Sequence, residues 1–170
     1  LEKEYTLTEK RAPDGYAEAE SIVFKLVQNG TEQVNEVYVK TDDDWSKMNG
    51  STIVMQDAPV LDIDKTDIAG NLLPGATLTI RDANDEVVDT WTTDYKTHRV
   101  PISNDFLKLS GEAKEYIYTL NEDAAPAGFE IANSVQFKLE TVDDGISLFV
   151  RENADAEWTR ADKRLIQMID

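Results

Sequence analysis

Three ionisable side chains stand where the strand pattern calls for an apolar residue. In an extended strand, residues i, i+2 and i+4 share one face. In LDIDK at 61–65, Leu61, Ile63 and Lys65 therefore face one way, while Asp62, Asp64 and then Thr66 face the other. In YTLNE at 118–122, Tyr118, Leu120 and Glu122 share a face; in IQMID at 166–170, Ile166, Met168 and Asp170 do. Each apolar face thus carries one charge. A buried lone charge is costly, so such groups must pair, neutralise or react.

Two chemistries satisfy that demand. The first is a buried ion-pair network, or a strand end where the charge reaches solvent. The second is covalent. An amine stripped of water favours its neutral, nucleophilic form. A carboxyl in the same surroundings favours its neutral form, which is electrophilic at carbon. A neighbouring Glu can hydrogen-bond the attacked carboxyl and shuttle protons as a general acid–base. Amide formation then expels water and leaves no charge to bury, and proximity within a folded core makes the step effectively unimolecular.

The elements that must position these groups read as strands. TLTIRD at 77–82, EVVDTWTT at 86–93, EYIYTLNE at 115–122, SVQFKLE at 134–140 and GISLFVRE at 145–152 alternate with period two and are rich in Val, Ile, Thr and aromatic residues. Turn signals separate them: AGN at 69–71, LPG at 73–75, DAND at 82–85, APAG at 125–128 and DDG at 143–145. Many short strands at this spacing predict an all-β, antiparallel sandwich. In AEWTRADKRLIQMI at 156–169 the apolar spacing is close to helical, but the related DWSKMNGSTIVMQ is a poor helix, so the last part of both is read as strand. The stretch 103–109 has room for a short helix.

The sequence also repeats. Offset by 113 residues, positions 1–57 fall on 114–170 without a gap, and 19 of the 57 pairs are identical. YTLTEKRAPDGY at 5–16 meets YTLNEDAAPAGF at 118–129, SIVFKL at 21–26 meets SVQFKL at 134–139, Trp45 meets Trp158, and IVMQD at 53–57 meets IQMID at 166–170. Residues 58–170 are therefore expected to form one complete unit, and residues 1–57 the C-terminal half of another, with the boundary near Ala58–Pro59. The tandem is read as cut from a longer array. In the half-unit, Tyr5, Leu7 and Glu9 share one face and Ile53, Met55 and Asp57 another, so Glu9 and Asp57 stand where Glu122 and Asp170 stand in the complete unit. A separate fragment, another chain or a first half lost to cleavage is expected to complete residues 1–57.

Composition narrows the function classes. The 170 residues carry 34 acidic and 17 basic side chains, for a net charge of −17. That balance excludes a phosphate-backbone partner and docking on anionic membranes, and favours a soluble, self-repelling surface. With no Cys, thiolate chemistry, disulfides and Cys-ligated metals are excluded; a single His removes most His-based metal and triad arrangements, and no cofactor or metal is expected. No apolar run reaches membrane-span length, and the polar start LEKEYTLTEK is not a signal peptide. Weaker features take ordinary readings. Lys40 in VYVK is an exposed strand lysine, TDDD at 41–44 a solvated loop lacking EF-hand spacing, and His98 an exposed residue. Trp45 and Trp158 are packing residues, and no cleft supports a glycosidase.

Together, IDKTDIAGNLLPGATLTIRD at 63–82, VVDTWTTD at 87–94, the segments YTLTEKRAPDGY and YTLNEDAAPAGF, and the closing IVMQDAP and IQMID resemble the CnaB-type (collagen-adhesin B-region, SpaA-like) domains of Gram-positive surface adhesins and pilins. The resemblance covers nearly the whole chain. It implies a reverse immunoglobulin-like, transthyretin- or prealbumin-like β-sandwich with a spontaneous intramolecular isopeptide bond. Carried over by motif, Lys65 is the bond-forming lysine, Asp170 its partner and Glu122 the catalytic acid, with Glu9 and Asp57 holding two of the three roles in the half-unit. Phe129 stands where the family pattern has Tyr, and Asp123 follows Glu122; neither departure touches the three roles. The implied protein is an extracellular, cell-wall-anchored stalk or adhesin module, with anchor and signal peptide elsewhere. Its chemistry is a single self-modification, not turnover. Its implied partners are neighbouring repeats, a fragment or chain completing 1–57, and, in a binding-module alternative, host extracellular matrix or glycan.

Overall fold

Alternating β-branched and aromatic residues extend into fourteen strands in the computed structural model, which describes residues 3–30 and 34–170. Among the described residues there is no α-helix. Contacts divide the chain into two compact units, Leu1–Ala58 and Pro59–Asp170.

The first unit contains β1 (Glu4–Leu7), β2 (Tyr16–Ala17), β3 (Ile22–Asn29), β4 (Val34–Thr41) and β5 (Asp44–Lys47). Four of these make an antiparallel sheet in the order β1-β3-β4-β5, with β1 on its edge. Residues 52–57 carry no strand structure.

The second unit opens with β6 (Ala58–Thr66) and continues through β7 (Thr77–Arg81), β8 (Val87–Thr92), β9 (His98–Pro101), β10 (Tyr118–Ala124), β11 (Val135–Val142), β12 (Gly145–Arg151), β13 (Thr159–Arg160) and β14 (Leu165–Ile169). A six-stranded antiparallel sheet runs β13-β12-β11-β10-β7-β8. In a second sheet β6 pairs in parallel with β14, from Leu165↔Asp62 to Ile169↔Thr66, and antiparallel with β9. The inner faces meet in one core. Leu61, Ile63, Ile166 and Met168 enter it from the smaller sheet, and Leu78, Leu120, Phe137 and Leu148 from the larger. The unit is all-β, and the alternation that predicts strands also sorts these residues inward.

Local chemistry shapes the turns. Between β7 and β8, Asp82 Oδ1 accepts from the amides of Asn84 (2.8 Å) and Glu86 (3.0 Å), and Asp85 takes a left-handed φ of 64°. These backbone donors, Glu86 first, hold the Asp82 carboxyl below its ordinary range. Gly145, at φ 120°, closes the hairpin of β11 and β12, a conformation that a side chain would strain.

Three expectations need correction. Residues 53–56, read as strand, are not in one, because among the described residues no strand pairs with them. Residues 103–109 form a turn rather than a helix, with Phe106 N donating to Ser103 O at 3.3 Å; Pro101 and the β9 pairing hold the preceding chain extended. His98 is only partly exposed. Its ring stacks on Trp91 at 3.9 Å between centroids, and Nε2 lies 2.8 Å from Asp89 Oδ2.

Equivalent contacts recur inside each unit, with one offset. Tyr5 stacks on Phe24 and Tyr118 on Phe137, each at 5.4 Å. Lys25 lies 4.6 Å from the Trp45 ring and Lys138 lies 4.9 Å from the Trp158 ring. However, Leu26 pairs with Val37 while Leu139 pairs with Leu148. Val37 thus occupies the position of Leu148, two residues from where the gap-free superposition puts it. Four residues separate the paired Asn29 and Val34, against two between Val142 and Gly145. The offset closes at Ser46 and Thr159, which pair with Val39 and Val150.

Candidate functional site

Lys65, Glu122 and Asp170 meet in the core of the second unit. Lys65 lies on β6 beyond Leu61 and Ile63, and Glu122 on β10 beyond Tyr118 and Leu120. Asp170 follows β14 and Met168, whose backbone is paired with that of Lys65. The last register position is held by Asp170 N, which donates to Thr66 O at 3.0 Å. Parallel pairing of the first and last strands therefore sets the two bond-forming candidates side by side.

Their side chains are dry: relative exposure is 0% for Lys65, 0% for Glu122 and 2% for Asp170. Lys65 Nζ donates a short hydrogen bond to Asp170 Oδ1 and lies 3.2 Å from Glu122 Oε1. The second contact is ionic and lacks hydrogen-bond alignment. Among the described residues no donor reaches Glu122 Oε1 or Asp170 Oδ2 with that alignment. Three ionisable groups thus hold one another in surroundings where water cannot compensate them, and the amine rests against the carboxyl that it would attack.

Glu122 is aimed by backbone. The register of β10 on β7 shifts between Glu122 and Ala124, and the turn after it closes with Phe129 N donating to Pro126 O at 3.1 Å. The returning chain brings Ala132 N to within 2.6 Å of Glu122 Oε2. Oε2 is thereby occupied, and Oε1 faces the lysine. Sequence reasoning missed this positioning amide. Its available signal was Ala19 and Ala132 at equivalent positions, but a backbone donor leaves little trace in residue type. Asp123 points away and accepts from Thr79 Oγ1 at 2.6 Å.

The first unit brings Glu9 and Asp57 together, with no lysine beside them among the described residues. Ala19 N donates to Glu9 Oε2 at 2.8 Å, as Ala132 does to Glu122. Desolvation first, then the Glu9 charge and hydrogen bond, push the Asp57 carboxyl above its ordinary range. Lys40 is exposed on β4, and residues 42–43 form a turn with Asp42 at φ 53°. Among the described residues no group of acidic or His side chains is arranged to hold a metal ion, and no helix is long and apolar enough to cross a membrane.

A two-sheet, all-β unit whose first and last strands run in parallel defines a prealbumin-like β-sandwich. The family model described as SpaA, prealbumin-like fold domain, matches residues 60–153, more than half of the chain, and the chain belongs to that family. Among solved structures, the open conformation of the pilus adhesin SpaC from Lactobacillus rhamnosus GG is similar at 17% identity and a TM-score of 0.42, over 99% of this chain and 24% of that one. A C-terminal fragment of the same adhesin is similar at 16% identity and a TM-score of 0.40, over 99% of this chain and 75% of the fragment. The chain thus spans about a quarter of the length of the first of these. Among curated protein sequences none matches.

Proposed function

We propose that the protein is a structural module of an extracellular, cell-wall-anchored stalk or adhesin of a Gram-positive bacterium, closed by an amide between Lys65 and Asp170. The observation that carries this reading is the contact of Lys65 Nζ with both Asp170 Oδ1 and Glu122 Oε1 among side chains no more than 2% exposed. Membership of the SpaA prealbumin-like family supports the stalk or adhesin role. The partners that this reading implies are neighbouring repeats, of which residues 1–57 represent one half.

The step is balanced and needs no co-reactant. A proton passes from the Lys65 ammonium to the carboxyl pair, which makes the amine a nucleophile. Nζ bonds to Asp170 Cγ, and one carboxyl oxygen leaves as water with two of the three ammonium protons. Glu122 carries protons between the two centres, held in place by the Ala132 amide. The product is uncharged, so the cost of burying an ion pair disappears. It closes a loop between positions 105 residues apart. By analogy with disulfides, a loop of that size stabilises by roughly 4–5 kcal/mol through the unfolded state.

Intact mass tests the reading. The folded chain should weigh one water less than its sequence, and proteolysis should recover a branched peptide joining Lys65 to Asp170. Glu122→Ala should fold yet keep the full mass. An unshifted mass in folded wild-type chain would falsify the covalent reading, and a shifted mass in Glu122→Ala would remove Glu122 from the mechanism.

A further inference from the structure

The residue after Glu122 has no partner of its own in the ladder. On β10, Glu122 pairs with Leu78 and Ala124 with Thr77, so Asp123 is the extra residue of a β-bulge. An extra residue interrupts the ladder and bends the strand, and bulges beside a site re-aim its side chains. The neighbouring side chain here is Glu122. Its Oε2 takes the Ala132 amide at 2.6 Å, and among the described residues no donor reaches Oε1 with hydrogen-bond alignment. Its direction therefore depends on how firmly the bulge is held.

A run of side chains on the outer face of the larger sheet holds it. Asp123 Oδ2 accepts from Thr79 Oγ1 at 2.6 Å, and Thr79 Oγ1 lies 3.1 Å from Thr90 Oγ1. Thr79 gives its one hydroxyl hydrogen to the carboxylate, so Thr90 shares its own between Thr79 and Leu78 O, 3.3 Å away. Leu78 is the residue paired with Glu122, so the run ends directly across the ladder from it. Thr79 is 2% exposed, a position in which a hydroxyl needs a partner. The equivalent residue of the first unit is Lys10, which can only donate, so this device is confined to the second unit.

We propose that Asp123 is a positioning residue for closure of the Lys65–Asp170 amide: gripped by Thr79 and Thr90, it fixes the bulge that turns Glu122 toward Lys65 and Asp170. This role rests on the amide proposed above. Without the grip, β10 is free to slip into regular pairing, with residue 123 opposite Thr77. That slip shifts the following loop by one residue and draws Ala132 N off Glu122 Oε2. Proton transfer between the lysine and the aspartate then loses its fixed relay, and a misplacement of about 1 Å costs roughly a hundredfold in rate. Asp123 lies on the outer face of the sheet, so it acts through Glu122 rather than on the reacting atoms.

The test follows newly made intact chain, produced by cell-free translation, with denaturing mass spectrometry at successive times. Asp123→Ala and Thr79→Val should each lose water roughly ten- to a hundredfold more slowly than wild type. Asp123→Asn, whose amide oxygen accepts the same hydrogen bond, should stay within about threefold of wild type. The double variant, Asp123→Ala with Thr79→Val, should be no slower than the slower single one, because both remove one interaction; independent structural losses would add. Hydrogen exchange at the Ala132 amide, read by NMR, should quicken in Asp123→Ala while the amides of β12 stay as in wild type. Loss of water at the wild-type rate in Asp123→Ala, failure of Asp123→Asn to keep that rate, or unchanged exchange at Ala132 would each overturn the positioning role. Full mass in the wild-type chain would instead overturn the Lys65–Asp170 amide, and exchange at Ala132 would still decide whether Asp123 holds Glu122.

Discussion

At the residue scale, one ammonium is shared by two buried carboxyls, and removing it is severe. Lys65→Met should leave Glu122 and Asp170 without a cation, at about 3–5 kcal/mol for breaking a buried pair, and should remove the loss of water that the proposed amide entails. Under the proposed cross-link, the loss of loop closure adds to that cost. Urea denaturation should show a large drop in midpoint, and replacing all three residues with apolar ones should recover part of it. Other carboxyls differ in sign. Asn71, with the amides of Ala69 and Gly70, lowers Asp67, and the amides of Glu86 and Asn84 lower Asp82. Their contribution is present above the unfolded carboxylate pKa and fades as pH falls through the lower folded value. Asp57 is raised, by desolvation first, so its contribution is present below the unfolded value and is lost as pH rises through the folded one. Carbon-detected NMR titration should place Asp67 and Asp82 below the ordinary range and Asp57 above it. The three core charges were legible because each interrupts a strict alternation of apolar residues. The Ala132 amide was not, since its role belongs to the backbone.

At the scale of elements, the same leucine should carry different weight in the two units. Leu120 is fully buried on β10, and Leu120→Ala should cost about 2–5 kcal/mol through lost burial and the cavity left behind. Leu7 is 38% exposed on β1, and Leu7→Ala should cost well under half as much. Hydrogen exchange, which reports each unit separately, provides the measurement; equal costs would mean that the face of β1 is covered in solution. Period-two patterning revealed β7, β8, β10, β11 and β12 because one face of each meets the core. It did not reveal that β9 joins β6 while β8 stays with β7, since pairing partners are chosen by long-range closure. Nor did it reveal the two-residue offset of β4. A gap-free superposition hides a longer hairpin when the next turn is shorter by the same amount, and Val37 on Val150 was a coincidence of type. Trp91 and His98 stack across that change of sheet, a contact with no local signature.

At the scale of the molecule, the net charge of −17 sets a background of self-repulsion. Raising salt from about 0.01 to 0.15 M shortens the screening length from about 30 to about 8 Å. The melting temperature should therefore rise over that range; a fall would mean that favourable ion pairs outweigh the excess of acid. The parallel pairing of β6 with β14 has a mechanical consequence. Chain enters the second unit at one end of this strand pair and leaves from the opposite end, so a pull on the two ends shears neighbouring strands along their length. Without a cross-link, opening the 105-residue span would pay out about 350 Å of slack at 3.3–3.6 Å per residue. With Lys65 joined to Asp170 none of that length is available, and the unit would lengthen like a short tether instead of a spring.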